Sequence, residues 1–223
     1  MYAYYRNDDF DAGGAWRDTV AQHRAAAHGS VSGGSFSGGY YDTGMTVRDL
    51  RYVAGANVGY TLAARFKYSG DPNTDQYSAL VGGSDHGTEF FFGKNHGSHY
   101  SNYNGGDPGQ CFGVQDGDYR PNVVCDVGAF DGRWHTAIFS EDAQGYGRLF
   151  VDGKDVTNGN PHWGGGAHVD RERVLLGNEA EGSGYVWRGS IATVAMYNGP
   201  KTPEEVLEIH QTMALSGNLC PAL

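Results

Sequence analysis

The stretch that most constrains this chain is Asp131–Val156, reading DGRWHTAIFSEDAQGYGRLFVDGKDV. Trp134, Thr136 and Ile138 alternate with His135, Ala137 and Phe139, and Leu149 and Val151 alternate with Phe150. Successive side chains of a strand point to opposite faces, so this pattern predicts two strands of a sheet with one face on a core. Glu141–Gly147 joins them with two acids and two glycines, which predicts a solvated hairpin turn. Asp152-Gly153 closes the second run with a pair suited to a tight turn.

The same reading extends along the chain. Candidate strands are Ala3–Arg6, Tyr40–Tyr41 into Val47, Tyr60–Tyr68, Ser78–Gly82, Thr88–Lys94, Cys111–Gln115, Val123–Val127, Trp134–Ser140, Gly147–Val151, Arg173–Gly177 and Gly189–Tyr197. In His28–Gly39, Val31 and Phe36 punctuate a Gly/Ser run and suggest a strand edge and turn. The 36 glycines supply the turns between many short strands. One helix is expected near the end. Thr202-Pro203-Glu204-Glu205 forms a capping box with proline at the first helical position, and Val206, Leu207, Ile209, His210 and Met213 follow at helical spacing. Its expected role is to cover an edge or corner. The fold class is therefore all-β, a two-sheet antiparallel jelly-roll sandwich with one short C-terminal helix, in a single domain over residues 1–223.

Twenty-six acids against 16 bases leave a net charge of −10, with no basic stripe, which disfavours nucleic acid as a partner. No apolar run approaches the ~20 residues of a membrane-spanning helix. The N-terminal MYAYYRNDDFDAGG shows no secretory leader, so the expectation is either that a leader has been removed or that the protein reaches its site by another route, for example by assembly into a virus particle inside the host. Cys111 and Cys125 flank a predicted hairpin and could face each other across it, but free, buried thiols are the expected state of a cytosolically assembled protein.

Three stretches resemble the laminin G-like, or concanavalin A-like, superfamily of jelly-roll sandwiches. Tyr60–Ser69 is similar to the family's aromatic–hydrophobic strand. Asp131–Val156 resembles its "DG-x-WH … VDG" hairpin, and Gly189–Glu205 its closing "G-x-I" strand with "Y-N … T-P-E-E". The resemblance implies that Trp134 belongs to the core, and its strand character predicts the same for Trp187. Many relatives carry an acidic calcium ligand just after the G-x-I, where this chain has Ala192 and Thr193. No cofactor is expected, and calcium at the family position would lack its carboxylate ligand. Asp116 and Asp118 remain weak candidates for a cation, with a solvated turn as the commoner role of such a pair.

The superfamily includes glycan-cleaving enzymes, which need two carboxylates at a set separation. No alternating acidic run of that kind occurs: Glu89 stands alone, Glu172 lies in a charged turn, and Glu179 and Glu181 lead into a glycine-rich loop. A lyase-like set of Arg65, His96, Tyr100 and Tyr103 lacks the surrounding motifs. No enzyme activity is expected. His96 and His99 are the nearest histidine pair but lack an evident third metal ligand.

Two loops carry the groups that bind sugars, aromatic faces for C–H surfaces and amides for hydroxyls. Asn95–Gly106 holds His96, His99, Tyr100, Asn102, Tyr103 and Asn104, and Asn158–Ala167 sets Trp163 among glycines. The expected ligand-binding residues are His96, His99, Tyr100, Asn102, Tyr103 and Trp163. The expected function is a non-catalytic display or adhesion module that binds carbohydrate, on a virion surface or outside the cell, as a bacteriophage decoration or fibre component would. A purely structural virion protein, whose partners are other virion or surface proteins, is the alternative, and a glycan-degrading enzyme the third.

Overall fold

The computed structural model describes residues 3–10, 16–18, 24–27, 30–32, 35–37, 41–73, 77–84, 89–95, 110–116, 122–157, 173–178 and 185–216. Within them the strands begin with β1 (Ala3–Phe10), β2 (Trp16–Asp18), β3 (Arg24–Ala27), β4 (Ser30–Ser32), β5 (Ser35–Ser37) and β6 (Tyr41–Thr46). Helix α1 (Val47–Arg51) leads to β7 (Tyr52–Val53), β8 (Ala56–Asn57), β9 (Tyr60–Tyr68), β10 (Ser78–Ser84), β11 (Glu89–Asn95) and β12 (Cys111–Asp116). The chain continues through β13 (Asn122–Val124), β14 (Trp134–Glu141), β15 (Gly147–Val151), β16 (Lys154–Asp155), β17 (Arg173–Leu176) and β18 (Gly189–Asn198) to helix α2 (Pro203–Ser216).

One hydrogen-bonded path runs β13-β12-β11-β10-β17-β6-β3-β2-β1-β18-β9-β14-β15-β16, and the strand pairs along it are antiparallel. β3 pairs with β2 on one side and β6 on the other, so the path passes there from one layer to the other. The two layers close on a shared core. Leu62, Ala64, Phe66, Phe139 and Met196 come from the layer of β9, β14 and β18, and Leu80, Phe92, Phe112, Val114 and Leu176 from the facing layer. This is the jelly-roll sandwich class that the strand pattern predicts. Val31 and Phe36 lie opposite each other in the β4–β5 pair.

Trp187 is 2 % exposed and meets Phe66 and Tyr68 edge-on at 5.1 and 5.3 Å between ring centroids, as a core indole should. The Asp152-Gly153 turn has positive φ at both residues, 49° and 76°, the left-handed pair that Asp-Gly tolerates and that matches strand twist.

Helix α2 forms on its capping box. The Glu205 N–H donates to Thr202 Oγ1 at 3.3 Å, and the Thr202 N–H donates to Glu205 Oε2 at 2.9 Å. Val206 and Met213 then point down together onto Ala63, Ile138, Phe150, Ala195 and Tyr197. The helix therefore lies across the outer face of the β9–β14–β18 layer, where an edge or corner was expected, and β9 is buried on both sides. Alternation in β9 and β14 is weak for this reason: the outward positions under the helix are apolar too.

Trp134 corrects the core expectation. It is 38 % exposed on the outer face, while His135, Ala137 and Phe139 point inward. Helix α2 covers Ile138 and reaches Thr136 through His210, whose Nδ1 lies 2.6 Å from Thr136 Oγ1, and Trp134 lies beyond that cover.

Candidate functional site

The framework of the Asn95–Gly106 loop is described, and most of the loop is not. His96, His99, Tyr100, Asn102, Tyr103 and Asn104 lie outside the described residues, as do Trp163, Asp118, Glu172, Glu179 and Glu181. Asn95 ends β11 and pairs in register with Cys111, the first residue of β12. Asp116, at the far end of β12, lies opposite Phe90.

Cys111 and Cys125 form a disulfide, which corrects the expectation of free thiols. The reason lies in the register. Phe112 faces Val124 across β12 and β13, so the residues one step outward, Cys111 and Cys125, face each other. The bridge fastens β12 to the end of β13 at the point where the loop rejoins the sheet. Cys111, Cys125 and Val123 are buried together on the face away from the main core.

Asn95 lies on that same outer face and is 1 % exposed. Gly113 makes its seat: a Cβ at position 113 would approach Asn95 Cβ and Nδ2 to 2.8 Å. Lys94, the preceding residue, points the other way into the core. Its Nζ lies 5.9 Å from the Tyr68 ring centroid and 5.8 Å from that of Phe130, a buried cation against two aromatic faces. The departing strand end is thus held on both faces.

A second polar cluster sits in the signature hairpin. His135 Nδ1 lies 2.7 Å from Asp152 Oδ2, and Nε2 lies 2.9 Å from Asp131 Oδ1. Ionised carboxylates only accept, so both ring nitrogens carry protons. The bond to Asp152 raises the imidazole pKa above its usual value, burial opposes it, and the bond to Asp131 adds to the rise. Bonds from Arg133 and His135 pull Asp131 well below the ordinary carboxylate range. Burial works to raise Asp152, and the donors His135 and Thr136 N–H outweigh it, so its pKa is also lowered. With both nitrogens occupied, His135 serves as scaffold for the hairpin.

Glu141 differs from expectation. It is the last residue of β14, 1 % exposed, and ion-paired with Arg51, where the sequence pattern suggested a solvated turn. Burial raises its pKa to about 7 against the pull of Arg51. Among the described residues no group of three or more His, Cys, Asp and Glu is placed to hold a metal ion. At the family's calcium position β18 supplies Ala192, 4 % exposed, and the single hydroxyl of Thr193, with no carboxylate. A hard cation takes six to eight oxygens, so these residues do not fit calcium.

The signature hairpin, the closing strand and the capping box of α2 all fall within residues 37–207, which match the family model for the concanavalin A-like lectin/glucanases superfamily. The chain belongs to that superfamily. No curated protein matches the chain. Among solved structures it is similar to a Trypanosoma rangeli sialidase in complex with sialic acid, at 14 % identity and a TM-score of 0.67. That match covers 96 % of this chain and 33 % of the sialidase, so the chain spans about a third of the enzyme's length. It is similar over 94 % of its length to domain 4 of AbnA, an extracellular arabinanase of Geobacillus stearothermophilus, in complex with arabinotriose. There the identity is 13 %, the TM-score 0.60 and the coverage of that domain 98 %. A carbohydrate-binding module of a Ruminococcus gnavus sialidase, bound to α2,3-sialyllactose, matches at 16 % identity and a TM-score of 0.53, over 79 % of this chain and 95 % of the module. At these identities the likeness is one of fold. The laminin G-like resemblance of the sequence and the sandwich of the structure thus agree, and no helix among the described residues is long and apolar enough to cross a membrane.

Proposed function

We propose that this protein is a non-catalytic carbohydrate-binding module, displayed on a virion surface or outside the cell, that meets its glycan through the Asn95–Gly106 and Asn158–Ala167 loops. The observation that carries this reading is the strand end from which the first loop departs. Asn95 and Cys111 are locked in register, Lys94 is buried beneath, and the Cys111–Cys125 disulfide ties the returning strand to β13. A loop hung from a rigid frame can present His96, His99, Tyr100, Asn102 and Tyr103 at little ordering cost. The disulfide also suits an oxidising location, as outside a cell or on a particle surface. Two similar structures, the arabinanase domain and the sialidase module, hold oligosaccharides.

The test is a glycan array probed with the wild type and with Tyr100→Ala, Tyr103→Ala and Trp163→Ala. Binding that falls at least about tenfold in a loop variant, a loss of about 1.4 kcal/mol, supports the reading. A folded wild type that binds no glycan favours instead a structural protein whose loops pack on neighbouring subunits. Release of reducing ends from a polysaccharide panel would sink the non-catalytic reading.

A further inference from the structure

The outer face of the β9–β14–β18 layer continues beyond helix α2, and its residues there follow from register. Two rows cross the three strands. One is Thr193, Arg65 and Thr136, and the next is Ser190, Lys67 and Trp134. Two cations and an exposed indole therefore sit together among hydroxyl side chains in a protein whose net charge is −10.

Among the described residues the two cations have no acid to face. Arg65 Cζ lies 5.0 Å from the Trp134 ring centroid and Lys67 Nζ lies 5.6 Å from it, and neither makes an ion pair among the described residues. The strands on either side offer Arg65 only threonines. Burial alone accounts for the lowering of the Arg65 pKa, with no carboxylate field opposing it. The nearest acids of the hairpin are already engaged: Asp131 holds Arg133 and His135, and Asp152 holds His135 and the Thr136 N–H. Thr193, directly opposite Arg65, keeps a buried hydroxyl that makes no hydrogen bond.

A guanidinium held over an indole is restrained in position. The contact leaves N–H groups of the guanidinium for the two oxygens of a carboxylate, which its fork geometry matches. The exposed part of Trp134 offers an apolar surface beside that charge, which suits the C–H face of a sugar ring. We propose that Arg65, Lys67 and Trp134 form a second binding site, separate from the loops, for a carboxylate-bearing sugar such as a sialic or uronic acid. Arg65 takes the carboxylate, Trp134 takes the ring and Lys67 adds positive field.

The test measures binding of the full chain to sialyllactose, lactose, oligogalacturonate and a sulfated heparin oligosaccharide by calorimetry. Arg65→Gln, Arg65→Lys and Trp134→Ala are compared with the wild type, and thermal melting reports whether each is folded. The carboxylate sugars should bind and lactose should bind at least about tenfold more weakly, because a charge-assisted bidentate contact is lost with the acid. Arg65→Gln should lose that preference, and Arg65→Lys should retain part of it. The proposal is overturned if a folded Arg65→Gln keeps wild-type affinity for the carboxylate sugars. It is equally overturned if the wild type ignores both carboxylate sugars, or binds only the sulfated oligosaccharide. Because the loop variants are scored separately, failure at Arg65 leaves the loop reading intact, and the reverse also holds.

Discussion

Arg51 reaches Glu141 across ninety residues of sequence, with Nη2 3.2 Å from Oε1 and neither side chain more than 2 % exposed. The pair ties helix α1 to the end of β14, and the Arg51 guanidinium also lies 5.4 Å from the Tyr60 ring centroid. Two charges are desolvated together, so each is tolerable only in the other's presence.

Removing one partner should therefore cost more than removing both. Arg51→Met strands a buried carboxylate and should destabilise the fold by about 3–5 kcal/mol, the usual cost of an uncompensated buried charge. Adding Glu141→Leu should recover a large part of that loss. Urea unfolding of the two single variants and the double variant measures it, and a double variant less stable than Arg51→Met would refute the coupling.

His135 between Asp131 and Asp152 predicts a stability profile in pH. The imidazole pKa is raised in the fold, so its contribution is full below the unfolded value of about 6.5 and fades as pH rises through the folded value. Both carboxylate values are lowered, so their contribution is present above about 4 and is lost as pH falls through the folded values. The cluster should stabilise most between about pH 4 and 6.5. Melting temperatures across pH 3–9 for wild type and His135→Gln check this: the difference between them should be largest inside that window. A constant difference would show that the clamp is sterically useful and electrostatically idle.

Much of this was legible because it is local. Tyr60–Tyr68 and Gly147–Val151 begin and end where alternation and turn residues place them, and the capping box at Thr202 is read within four residues. The misread residues depend on partners far along the chain. Trp134 and Ile138 share one face of β14 and have the same periodicity, but only the reach of α2 decides which is covered. Glu141 looks like a turn acid until Arg51 is brought against it. The Cys111–Cys125 bridge needs the β12–β13 register, which spacing alone leaves open. The Arg65–Trp134 contact is a diagonal across β9 and β14 and has no signal in either segment alone. Loop composition at Asn95–Gly106, by contrast, is plain in the sequence, because aromatic and amide groups among glycines need no partner to be recognised.

The disulfide should matter measurably to the loop frame. Cys111 and Cys125 are 14 residues apart, and closing a loop of this size stabilises by about 3 kcal/mol through loss of unfolded-state entropy. Cys111→Ser/Cys125→Ser should lower the melting temperature, and reductant should lower that of the wild type while leaving the double variant unmoved. Glycan affinity of the loop should fall in the double variant even at temperatures where it is fully folded, because the return strand loses its tie. Unchanged melting under reductant would mean that the bridge does not form in solution.

Gly189 opens β18 and supplies the last test, since it shows why the family's closing strand begins with glycine. A Cβ there would overlap the Lys67 carbonyl oxygen and come within 3.0 Å of the Trp187 Nε1, so the strands β9 and β18 could not keep their register above a buried indole. Backbone cannot yield as a flexible side chain does, and the pair carries the centre of the outer layer. Gly55 is the internal control. Its φ is +83° and nothing lies within 4 Å of a Cβ built there, so Gly55→Ala incurs only the left-handed backbone penalty of about 1–2 kcal/mol. Gly189→Ala should cost well over that, on the order of the 4–5 kcal/mol that marks exceptional substitutions, and should quench the tertiary near-ultraviolet signal of Trp187. Chemical denaturation of the two variants side by side decides the matter. Equal losses would mean that β18 shifts to accommodate the methyl group and that the close approach to Lys67 is not what the glycine preserves.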